Sequence, residues 1–365
     1  MVGTSVYATF YIPQKIAEGL ANGTLERIGG VVREVGSKRI VAWLREIPDA
    51  SNKIQKIIHI NTAISVLTLG TTVAGFAVIH QRLDSIEACL KDMQETLNEI
   101  DQKLDLSFYA QFRAALDMAA KAFKMSDTKN RKPLAFQVIQ SFAQSEHIYT
   151  KYLDQELQLQ GRAVHEYLSM LALIYLTETR CYLELGEYLS AMERLKEGYS
   201  RLQNYTRLYI EMLLTSNPAA YISPFLKTEI SLSRLTQIYR WLDPGMGESD
   251  VFEKLRSNLF QWHADASVLT GFRWLKELPP AILIKADFEK KGYFHRSGQV
   301  EQALACLPKV MEKMESAIET CNRLKGYQTE VQAMENFGIS FQEWLSLQPK
   351  EEQPENAQMV YILAA

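Results

Sequence analysis

Between Ile57 and Gln81 the chain contains no Asp, Glu, Lys or Arg. Charge is missing for twenty-five positions in a protein that is otherwise 23% charged. That gap argues against an ordinary solvated surface segment. Proline is also absent from Lys53 to Lys124, so nothing forces a break in a helix there. Only four cysteines occur (Cys89, Cys181, Cys306, Cys321), far apart and without metal-type spacing. They exclude a disulfide framework and read as reduced thiols facing the cytosol. The net charge of −3 excludes a strongly basic nucleic-acid binder overall, though not a local basic patch. There is no glycine-rich phosphate loop, zinc-protease helix or nucleophile elbow, and no enzymatic activity, cofactor or metal is expected. Met1 to Tyr11 have neither a basic nor a long apolar run, so no secretory signal is expected.

A heptad begins directly after the uncharged run. Leu83, Ile86, Leu90, Met93, Leu97, Ile100 and Leu104 alternate steps of three and four, keeping one helical seam toward a partner. Leu occupies every a position and Ile, Met and Ile the d positions, a pattern that shifts parallel coiled coils from dimers toward trimers and tetramers. The segment Ile60 to Ile79 spans about 30 Å as a helix, about one hydrocarbon thickness. Carrying the heptad register backward places Thr62, Ser65, Leu69, Thr72, Phe76 and Ile79 on the same seam. In a symmetric bundle the hydroxyls would form polar rings along an axis. Leu69, Phe76 and Ile79 would form apolar rings that gate by dewetting. The other reading of the same run is the dry core of a soluble oligomer, or one buried helix in a monomer.

Around this rod the expected fold is mostly α. Residues 1–52 form a leader, with a helix from the spacing of Ile12, Ile16 and Leu20 and a β-hairpin of Val31–Val35 and Arg39–Leu44 around Gly36-Ser37. Residues 53–125 hold the transmembrane helix and the oligomerising coiled coil. Residues 126–347 read as a helical sensor domain, with a break expected at Lys129 to Pro133. Residues 348–365 are a tail, rich in Pro and Glu up to Asn356 and expected to be solvated. Two stretches have the small/aromatic spacing of tetratricopeptide-type hairpins. One runs through Tyr175, Thr179, Tyr182, Gly186, Tyr188, Ala191 and Leu195. The other runs through Phe294, Gly298, Val300, Ala303 and Leu307.

The six histidines do not cluster and are expected to be surface or packing residues. Bases lie beside aromatic rings at Arg240, Trp241, Arg273, Trp274, Lys290, Lys291, Tyr293 and Arg296. Cations next to stacking rings suit single-stranded DNA or a nucleotide, and these are the candidate ligand contacts. The bland alternative is core rings with solvated charged flanks.

This layout of leader, apolar helix, self-associating stalk and helical domain resembles the channel-forming effectors of the Hailong anti-phage system. The resemblance rests on Ile57–Leu104 and the helical remainder, and it carries no residue over position by position. It implies an ion channel of the bacterial inner membrane, with a crown starting near Ser126 that binds a DNA oligomer and holds the channel shut. The expected protein is therefore a homo-oligomeric effector, tetramer favoured, with its C-terminal domain in the cytoplasm, that arrests growth. The alternative is a soluble coiled-coil scaffold that recruits a partner protein. A secreted helical pore-forming toxin fits less well, since no export signal is visible.

Overall fold

The computed structural model describes residues 10–11, 14–28, 31–36, 40–46, 84, 86–88, 91, 107–123, 125, 127–215, 218–222, 230–264, 278–282, 296–338, 340–341 and 359–363. These are mostly helical. The chain divides into two compact units. Unit 1 comprises Met1–Thr150, Ser169–Leu202 and Glu319–Ala365, and unit 2 comprises Lys151–Leu168 and Gln203–Ile318.

Unit 1 opens with strand β1 (Phe10–Tyr11), helix α1 (Gln14–Ala21) and strands β2 (Leu25–Ile28), β3 (Val31–Glu34) and β4 (Ile40–Glu46). The expected hairpin is present, with Val31 opposite Trp43 and Val32 opposite Ala42. It belongs to a larger sheet than the alternation predicts. Strand β5 (Met359–Leu363), from the segment read as tail, inserts between β1 and β4, giving the order β1-β5-β4-β3-β2. It pairs antiparallel with β4 over five residues and parallel with β1. Ile16 of α1 and Val32 of β3 are fully buried, with Leu20, Leu25 and Val41 packed around them. Glu26 and Arg33 face each other across β2 and β3 and form a 2.7 Å ion pair.

Helix α2 (Ser107–Ala122) buries Phe112, Leu116 and Ala119 completely. The Phe112 ring meets Phe142 of α3 (Thr128–Gln158) at 5.3 Å. The break expected at Lys129 to Pro133 is a helix start instead. Asp127 caps the first turn, its side chain accepting from the Lys129 amide at 2.9 Å and its carbonyl from Arg131 at 3.1 Å. Pro133, six residues in, forfeits one hydrogen bond and the helix continues through it.

Helix α4 (Val164–Glu184) is buried at nearly every position from Ala163 to Thr179. It joins α5 (Tyr188–Leu214) through Gly186, whose φ of 77° is the left-handed conformation that closes such a turn. The Glu187 amide returns to the Tyr182 carbonyl at 2.9 Å. Tyr175, Ala191 and Leu195 are fully buried, so the first expected hairpin exists as a helical hairpin. The second differs. Gly298 lies in the first turn of helix α8 (Arg296–Phe337), which runs on without a turn at that glycine. Phe294 lies outside the described residues.

Unit 2 holds the C-terminal part of α5, a short 3-10 turn (Pro218–Ile222), helices α6 (Leu232–Leu242) and α7 (Glu248–Ala264), and the first part of α8. The Tyr221 hydroxyl donates to the Leu213 carbonyl at 2.7 Å and anchors the 3-10 turn. Ser231 caps α6 by accepting from the Arg234 amide. Arg234 then grips Glu315 of α8 with two bonds of 2.7 and 2.6 Å. His165 is buried and meets the Tyr209 ring at 6.1 Å. Burial pushes its pKa down to about 4, so it is a neutral packing residue at physiological pH.

Among the described residues no helix is long and apolar enough to cross a membrane. The uncharged run Ile57–Gln81 lies outside them.

Candidate functional site

The geometry with most chemical content in unit 1 is built on three helices. Glu146 projects from α3, Tyr175 and Glu178 from α4, and Arg194, Glu197 and Arg201 from α5. Arg194 is the hub. Its guanidinium donates to Glu178 and Glu146, and to Glu197 at 2.7 Å. Arg201 reaches Glu146 at 2.9 Å and Glu197 at 3.1 Å. The Tyr175 hydroxyl donates to Glu146 at 2.5 Å, and its ring lies under Arg194 at 4.4 Å. Gly198 makes that stacking possible, because a Cβ there would sit 2.5 Å from the Tyr175 ring.

The electrostatics are uneven. Three carboxylates face two guanidiniums, and Glu178, 2% exposed, is the least accessible of the three. Burial pushes its carboxyl up to about 7, against the pull of Arg194. Burial also opposes ionisation of Glu146, but hydrogen bonds from Tyr175 and Arg194 hold its pKa below the ordinary value. Spacing and periodicity do not reveal this network, because its members lie up to 55 residues apart. One signal was available: Glu178 interrupts the apolar run from Leu168 to Leu176 and Cys181 on a helix with no room for a solvated face.

Unit 2 contains an open cleft of about 370 Å³. Its walls are Arg207, Glu211 and Leu214 on α5, Tyr239 and Leu242 on α6, and Lys254 and Asn258 on α7. The Lys254 ammonium lies 4.8 Å above the Tyr239 ring. Asn258 Oδ1 is buried and has no hydrogen-bond partner among the described residues. Thr215, on the rim, has a φ of 61°, which a β-branched residue adopts only under strain. Arg207 and Lys254 alternate with Glu211 and Asp243, so the cleft has no single sign of charge.

Of the candidate ligand contacts, Arg240 and Trp241 stand on α6, the helix that supplies one wall of this cleft. Arg240 is exposed and Trp241 half-buried, and neither lines the cleft. Arg296 begins α8. Arg273, Trp274, Lys290, Lys291 and Tyr293 lie outside the described residues. So do the seam residues Thr62, Ser65, Leu69, Thr72, Phe76 and Ile79, and the heptad residues Leu83, Leu90, Met93, Leu97, Ile100 and Leu104. Ile86, the heptad residue that is described, is 5% exposed within the single chain. Beside it Asp84 pairs with Arg113 of α2.

Cys181 and Cys321 are buried thiols and Cys306 is a half-buried one. Among the described residues no group of three or more His, Cys, Asp or Glu side chains could hold a metal ion. No protein family, curated protein or solved structure matches the chain.

Proposed function

We propose that this protein is an oligomeric membrane ion-channel effector gated by a ligand on its C-terminal helical region, arresting growth in bacterial anti-phage defence. The observation that carries the reading is the uncharged run Ile57–Gln81 abutting the Leu/Ile heptad that starts at Leu83. A helical region long enough to act as a sensor follows it. A ligand that binds the closed arrangement more tightly holds the gate shut, and its loss opens the pore.

The ligand reading separates into two surfaces. The cleft of unit 2 carries Glu211 and Asp243 among its cations, which disfavours a polyanion inside it. A single-stranded DNA oligomer would instead track the bases and rings of Arg240, Trp241, Arg273, Trp274, Lys290, Lys291, Tyr293 and Arg296. Reversing the charge of Lys290, Lys291 and Arg296 together would then weaken binding of an oligonucleotide and flatten its salt dependence.

A second reading, a soluble coiled-coil scaffold with a partner-binding helical hairpin, draws support from the α4–α5 hairpin closed at Gly186. Ile86 favours neither reading, because at 5% exposure within one chain its seam position is covered before copies meet. Cell fractionation tests the two. The channel reading requires recovery of the full-length protein with membranes and release only by detergent. Recovery in the detergent-free soluble fraction would sink it in favour of the scaffold.

A further inference from the structure

We propose that the α3–α4–α5 cluster of unit 1 is a proton-binding site: Glu178 holds the one proton that offsets the surplus carboxylate, and its loss loosens the packing of these three helices. This inference does not depend on the channel reading.

The argument starts from charge matching. Arg194 and Arg201 can neutralise two of the three carboxylates Glu146, Glu178 and Glu197, so one negative charge is left over. Removing an unmatched charge from water is costly, and the lowest-energy remedy is protonation of one member. Glu146 is the wrong member, because Tyr175, Arg194 and Arg201 all donate to it. Glu197 is also the wrong member, since its side chain is 44% exposed and water can solvate it. Glu178 is 2% exposed, beyond the reach of water, and its one cationic contact among the described residues, Arg194, is shared with Glu146 and Glu197, whereas Arg201 serves those two carboxylates alone. It therefore holds the proton.

The groups facing Glu178 are Glu146 from α3 and Arg194 and Glu197 from α5, with Cys181 and Tyr182 beside it on α4. Cys181 and Tyr182 are both pushed up by burial and stay neutral through this range. Ionisation of Glu178 would leave three carboxylates sharing the guanidiniums of Arg194 and Arg201, the first of which also stacks on Tyr175. The direction follows from linkage. A carboxyl held above its ordinary value of 4.5 stabilises the fold below that value, and the contribution is lost as pH rises through about 7.

The test is thermal unfolding of the full-length protein between pH 5.5 and 8.5, wild type against Glu178→Gln. The wild type should lose several degrees of melting temperature across this window that the Gln variant keeps. Parallel profiles would overturn the proposal. Should Glu178→Gln fail to fold, Glu197→Gln provides the second arm. Removing the exposed surplus charge should move the wild-type transition to lower pH, and an unmoved transition would also overturn it. Carboxylic-acid infrared absorption that disappears between pH 5.5 and 8.5 in the wild type identifies the group as a carboxyl. Its persistence in Glu178→Gln would assign the proton elsewhere and reject Glu178.

Discussion

Gly198 lies in the interior of α5, against the side chain of Tyr175. A glycine in mid-helix costs about 1 kcal/mol relative to alanine, so on propensity alone Gly198→Ala should stabilise α5. Here the added methyl would enter the Tyr175 ring at 2.5 Å, and Tyr175 is fully buried with its hydroxyl committed to Glu146. Overpacking of this kind costs about 1–3 kcal/mol, which outweighs the propensity gain. Gly198→Ala is therefore expected to lower stability, read from the denaturant midpoint. A raised midpoint would show that the ring yields freely. Tyr175 and Ala191 are legible in the sequence as aromatic and small packing residues. The part Tyr175 plays in a buried charge network is not, because ion pairs between α3 and α5 leave no periodic trace. His165 was the easier case: an isolated histidine without ligand-type neighbours reads as packing, and it is buried against Tyr209.

At the level of elements, hydrophobic period located what is local and missed what is not. Helix α1, the β3–β4 hairpin and the α4–α5 hairpin with Gly186 at its turn were all legible from spacing and turn residues. The start of α3 was not, because Pro133 reads as a breaker while the Asp127 cap two residues before Lys129 outweighs it. Strand β5 was least legible. Met359-Val-Tyr-Ile-Leu363 is a short apolar run behind a polar stretch, and its partner β4 lies more than 300 residues earlier in the chain. Being internal to the sheet, β5 cannot tolerate proline, which would remove a ladder hydrogen bond. Tyr361→Pro should therefore release β1 and expose the edge of β4. Limited proteolysis would then cut within residues 10–46 several-fold faster than in the wild type. Unchanged cleavage would mean the leader sheet stands without its fifth strand.

For the molecule as a whole, the decisive question is whether copies assemble through the uncharged run and what it then does. If neighbouring protomers bring Ile57–Gln81 together around an axis, the apolar rings of Leu69, Phe76 and Ile79 alternate with the hydroxyls of Thr62, Ser65 and Thr72. A narrow apolar constriction blocks ions because it dewets, not because it is sealed by contact. Small polar side chains in its place let water and ions through. Leu69→Ser with Phe76→Ser should accordingly raise resting conductance about ten-fold or more in planar bilayers. The same pair should leave the α3–α4–α5 region untouched, so its pH-dependent melting should match that of the wild type. A soluble assembly predicts the opposite division. Two serines in its dry core would cost about 2–5 kcal/mol each by analogy with large-to-small core changes, and no conductance would appear. Measuring conductance and melting on the same preparation separates the two, since each reading moves one observable and leaves the other still.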